Sequence, residues 1–100
     1  MKRTVTPLQL PAVLEVERNI IGACLHPNEA RRIVEMDVTP AMFHDIRYSR
    51  IFAACLALLQ DKIQPDLVTV AQYLYLNDIQ LDGSNGNEVF LAQFFGEVPT

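Results

Sequence analysis

The chain has 100 residues, half of them hydrophobic and a fifth charged, with a formal net charge of −4. That is enough apolar material for one domain with its own core, and it excludes general disorder. Basic residues gather only as Lys2-Arg3, Arg31-Arg32 and Arg47 with Arg50, which gives no basic face and argues against direct, sequence-specific DNA binding.

Residues 1–10 read as an extended arm, with Pro7 and Pro11 bracketing Leu8-Gln9-Leu10. Pro11 suits a first helical turn, and a helix is expected from there to about Leu25. Val13, Val16, Ile20 and Cys24 form one stripe of it, with Leu14, Ile21 and Leu25 beside. Gly22 inside that helix costs about 1 kcal/mol against Ala, so a close helix–helix approach is expected there. His26-Pro27-Asn28 ends it, because a residue before proline disfavours the helical region.

A short helix is expected from Pro27 to Glu35, with Ala30, Ile33 and Val34 inward. Thr39-Pro40 marks a new start, Thr39 as cap, for a single turn ending near Phe43. Asp45 caps the longest helix, to about Asp61, whose stripe is Tyr48, Ile51, Phe52, Cys55, Leu56 and Leu59.

The next segment, Pro65-Asp66-Leu67-Val68-Thr69-Val70, has the composition of a strand. Asp66 decides otherwise: it can cap, and Leu67, Val70, Ala71 and Leu74 then share one helical face to about Asn77. Asp82 to Asn87 is the strongest loop signal. Glu88 to Phe95 returns to helical spacing, and Gly96 suits its end.

Residues able to do chemistry are sparse. His26 and His44 read as ordinary surface histidines, and no Ser, Cys or acid stands at a triad spacing. Cys24 and Cys55 lack the Cys-x-x-Cys spacing of a redox or metal pair and read as buried thiols in a reducing compartment. No His-Glu-x-x-His and no Gly-x-x-x-x-Gly-Lys-Ser/Thr occurs. No segment approaches the roughly 20 apolar residues that cross a bilayer, and Pro7, Gln9 and Pro11 break any signal-peptide core, so a cytoplasmic protein is expected.

Two groups stand out. Glu15 complements the dipole of a helix start, whereas Glu17, between Leu14 and Ile21, falls on a partly apolar face. A carboxylate there requires a partner, and Arg47 or Arg50 is the expected one. Phe90, Leu91, Phe94 and Phe95 crowd four large apolar side chains into six positions. They mostly complete the core, with Phe90 or Phe95 expected at an interaction surface.

With these elements in place, the chain resembles the N-terminal domain of the DnaB family of bacterial and phage replicative helicases. Leu14-Glu15-Val16-Glu17 stands for the family's Leu-Glu-x-Glu, Ile21-Gly22 for its Leu-Gly, and Pro40-x-x-Phe43 for its Pro-x-x-Phe. Ile51-Phe52, Asp66-Leu67-Val68-Thr69-Val70 and Val98-Pro99-Thr100 follow in the family's order. On this resemblance Glu15, Glu17, Gly22, Phe43, Phe52, Asp66 and Thr69 are motif positions. Tyr48 departs from the family's frequent His, and Gly86-Asn87-Glu88 from its Gly-Gly followed by an apolar residue.

The fold expected is therefore all-α, a compact orthogonal bundle of about five to six helices. Residues 11–97 would form the head, between the arm and a linker or hairpin starting at 98–100. The resemblance implies a non-catalytic scaffold with no catalytic, metal or cofactor-binding residue of its own. ATP and magnesium would belong to a motor domain. It implies self-association within a helicase ring and docking of the primase C-terminal domain or a loader, with the fragment alone a monomer or weak dimer. The alternative is a stand-alone helical adaptor that mimics this head to load or inhibit a host helicase. A helix-turn-helix DNA binder using the Asp66 helix ranks below both, since its outer face (Gln72, Tyr73, Asn77, Asp78) carries no Arg or Lys.

Overall fold

The computed structural model describes residues 10–26, 29–81, 87–92 and 94. Five α-helices and one 3-10 turn follow in order: α1 (Leu10–Cys24), α2 (Ala30–Glu35), the turn Pro40–Met42, α3 (Ile46–Gln60), α4 (Leu67–Leu76) and α5 (Asn87–Ala92). No strand occurs among the described residues. The expected arm, the glycine loop at 82–86, Phe95 and the linker at 98–100 lie outside them.

Each start has a physical cause. Asp45 caps α3 by accepting from the Arg47 amide at 2.8 Å. Asp66 opens α4 with a full capping box: its carboxylate accepts from the Thr69 amide at 2.8 Å, and its own amide donates to Thr69 Oγ1 at 2.9 Å. That reciprocal pair makes Leu-Val-Thr-Val a helix despite its β-formers. Thr39 does not cap as expected. It is extended, and the turn is tied to α3 by Ser49 Oγ donating to the Pro40 carbonyl at 2.8 Å. The second helix is described from Ala30, and the amides of Glu29 and Ala30 both donate to the His26 carbonyl, at 3.1 and 3.0 Å; its expected start at Pro27 lies outside the described residues.

The helix ends were not legible as glycine signals. Asp37, Lys62 and Asp78, each just past the C-cap of α2, α3 or α4, adopt φ of 59°, 63° and 56°. After α3 and α4 the closure is a full Schellman pattern, with Ile63 donating to Leu58 at 2.9 Å and Ile79 to Leu74 at 2.8 Å. The apolar residue after the turn provides the stop that glycine usually marks.

Helix α3 is the axis of the core and packs against α1, the 3-10 turn and α4; α2 packs on α1 and α5 on α4. Ile21, Cys24, Ile51, Phe52, Ala54, Cys55, Val70, Leu74 and Leu91 are wholly buried. The buried face of α1 is Glu17, Ile21 and Cys24, rotated from the expected stripe, and Val16 is exposed. Val34, expected inward on α2, is also exposed. A methyl group at Gly22 would meet nothing within 4 Å among the described residues, so none of them makes the close helix approach expected at that glycine.

Cys24 and Cys55 are free thiols facing one another between α1 and α3. Their hydrogen bond, together with burial, pushes the Cys55 thiol well above its ordinary value.

Candidate assembly and docking surfaces

The first candidate is the buried acid. Glu17 is 5% exposed. Its Oε2 accepts from the His44 amide at 2.6 Å and from His44 Nδ1 at 3.0 Å; Oε1 accepts from the Asp45 amide at 3.1 Å. The expected arginine partner is therefore replaced by backbone. These amides precede the first turn of α3, where the helix dipole favours an anion, so a carboxylate from α1 holds the entry to α3 across 27 residues of chain. Burial raises the Glu17 pKa, and the hydrogen bonds from the His44 and Asp45 amides and the His44 ring outweigh it, leaving the carboxyl below its ordinary value.

Both arginines are engaged elsewhere. Arg47 donates Nε and a terminal nitrogen to the two Asp45 oxygens at 3.1 and 2.9 Å, and this pairing holds Asp45 below the usual carboxylate range. Arg50 donates to the Gln80 carbonyl at 2.7 Å, tying α3 to the segment after α4. Glu15 is exposed and needs no partner.

The second candidate is aromatic. Leu91 is wholly buried, whereas Phe90 and Phe94 are half-buried. Tyr48, Phe90 and Phe94 form a triangle with centroids 5.7 to 6.0 Å apart. The Arg47 guanidinium lies 4.6 Å above the Phe90 ring. Burial raises the Tyr48 pKa, with the nearby Asp45 charge adding to it. Of the four residues singled out in the sequence, Leu91 belongs to the core, while Phe90 of α5 and Phe94 just beyond it pack on Tyr48 of α3. Phe43 and Phe52 stack within the fold, 5.0 Å apart.

Two further features were not visible in the sequence. Asn87 clasps the chain on either side of residues 82–86: its Oδ1 accepts from the Leu81 amide at 2.9 Å and its Nδ2 donates to the Ile79 carbonyl at 2.8 Å. Its place beside glycines concealed this role. The larger omission is the outer face of α4, where Val68, Tyr75 and Leu76 are 64%, 81% and 78% exposed. The strong periodicity of the inward face of that helix hid the unusual character of the outward one. Among the described residues no His/Cys/Asp/Glu cluster has metal-binding geometry, and no helix is long and apolar enough to cross a membrane.

The family model for the DnaB-like helicase N-terminal domain matches residues 9–100. The chain belongs to this family. The replicative DNA helicase DnaB of Rhodothermus marinus is 37% identical over 65 residues, covering 64% of this chain and 7% of that relative. The DnaB-like chain thus aligns with only a small part of that protein's length. No solved structure matches it significantly. Asp66 and Thr69 in the capping box, Glu17 at the anchor, and Phe43 with Phe52 are each engaged within the fold of this chain.

Proposed function

We propose that this DnaB-like domain is the non-catalytic scaffold of a cytoplasmic replicative helicase. It joins subunits of the ring and docks a primase or a helicase loader, while ATP and magnesium act in a motor domain. The observation that supports this reading is the pairing of a family match across residues 9–100 with a helix face of exposed Val68, Tyr75 and Leu76. Contiguous exposed apolar surface on a small domain marks a site that another protein covers. A net charge of −4 suits contact with protein rather than with phosphate backbone.

The test is binding of the purified chain to the C-terminal domain of its cognate primase and to its cognate loader, by calorimetry. Saturable binding of either is expected. Failure of both, with ATP hydrolysis by the chain alone, would overturn the scaffold role.

A further inference from the structure

We propose that Cys24 and Cys55 form a reversible redox site, at which hydrogen peroxide closes a disulfide that fastens α1 to α3. They are the two cysteines of the sequence, and the fold brings both to one place. Cys24 is the last residue of α1, and Cys55 lies inside α3. Both are wholly buried and free, and a hydrogen bond joins their thiols. Sulfurs in that contact need a short approach and no refolding to reach the disulfide length of about 2 Å. Cysteines that served only as small apolar fillers would have no requirement to meet.

Access comes from the end of α1. The amides of Leu25 and His26 close on the carbonyls of Gly22 and Ala23, at 3.2 and 3.1 Å. Each bond reaches back three residues, the tighter and poorer geometry of a helix terminus. Gly22 stands in the same turn and weakens it, with no described residue within 4 Å of an added methyl group. Cys24 therefore sits where α1 opens first, whereas Cys55 lies in the interior of α3. The hydrogen bond with Cys24, and burial with it, also hold the proton on Cys55. Cys24 is thus the attacking thiol and Cys55 the resolving one.

When the end of α1 lifts from α3, the Cys24 thiolate attacks one oxygen of the peroxide. The O–O bond breaks, the hydroxide that leaves takes up the thiol proton as water, and Cys24 becomes a sulfenic acid. Reclosure returns it to Cys55, whose sulfur displaces the hydroxyl group. That group departs with the Cys55 proton as a second water. Two thiols and one peroxide give one disulfide and two waters, with both electrons supplied by the sulfurs. A small thiol such as glutathione reverses the bond by exchange, so the dithiol is the resting form in a reducing compartment.

The bond closes a loop of about 30 residues that contains α2 and the 3-10 turn, and this restricts the unfolded chain. It also adds a second tie to the helix pair that Glu17 joins at the entry to α3. Peroxide thereby locks the α1–α3 junction.

The folded chain, treated with hydrogen peroxide at neutral pH, should lose the two thiol hydrogens by intact mass without cross-linking to another chain. Its melting temperature should rise by about 10 °C and return with dithiothreitol. Cys55→Ser should stop at a Cys24 sulfenic acid, trapped by dimedone, and Cys24→Ser should react far more slowly. Gly22→Ala, by firming the last turn of α1, should slow disulfide formation up to about fivefold. Circular dichroism checks the fold of each variant, and the mass of the unsubstituted chain decides the matter where a variant does not fold.

Oxygen added to either sulfur without a disulfide, chains cross-linked to one another, or a bond that forms only in urea overturns the site. So does a thiol pair untouched by peroxide in the folded chain. A disulfide that forms as fast in Gly22→Ala as in the unsubstituted chain overturns the end of α1 as the route to it.

Discussion

The junction of α1 with α3 and the outer face of α4 invert the usual distribution of polarity. At the junction a carboxylate is inside the protein; on α4, valine, tyrosine and leucine are outside. The difference lies in where the partner is. Glu17 finds its hydrogen bonds within the chain, from His44 and Asp45, so its burial is compensated locally. The α4 residues have no such cover among the described residues and contribute little to the isolated fold. Polarity in the wrong place thus marks either an internal anchor or an external contact, and hydrogen bonding tells them apart.

The largest effect should come from breaking the anchor. Glu17→Ala leaves two amides at the entry to α3 without their acceptor and is expected to cost about 3 kcal/mol in urea unfolding. The anchor should also be acid-sensitive. Glu17 and Asp45 both titrate below their ordinary values, so their stabilisation is full above the unfolded carboxyl pKa of about 4 and is lost as pH falls. Glu17→Gln should flatten the fall in melting temperature on acidification below about pH 4.5.

Asn87→Ala removes the clasp that ties the start of α5 to Ile79 and Leu81 and should cost about 1–2 kcal/mol by the same unfolding measurement. Gly22→Ala should act in the opposite direction. With open space around the new methyl group, it is expected to stabilise by up to about 1 kcal/mol in thermal unfolding.

The smallest effect sharpens the contrast. Leu76→Gln replaces a large apolar side chain, yet unfolding free energy should move by no more than about 0.5 kcal/mol. A loss near that of Glu17→Ala would mean that the α4 face is covered within the chain.

Much of the fold was legible because it rests on local chemistry. Asp45 and Asp66 cap helices through bonds two and three residues away, and the periodicity of α3 and α4 follows from spacing alone. Glu17 was legible only in part. Its place beside Leu14 and Ile21 required a partner, but the partner is backbone, which sequence does not distinguish from any other backbone. The ends of α3 and α4 fall at the expected Asp61 and Asn77, but the left-handed turns at Lys62 and Asp78 escaped, because their signal is an apolar residue beyond the turn rather than a glycine at it. The surface escaped for another reason: exposure is settled by what the remaining helices cover, and only the assembled bundle reveals that.

The paired thiols of the core make the protein a gauge of its own opening. Cys24 and Cys55 are its only cysteines, both buried, and the Cys55 thiol is held protonated at neutral pH by its neighbour and by burial. Neither is reactive while α1 lies against α3. A thiol reagent therefore reads the rate at which that helix pair separates, with no probe added and no surface cysteine to obscure the signal.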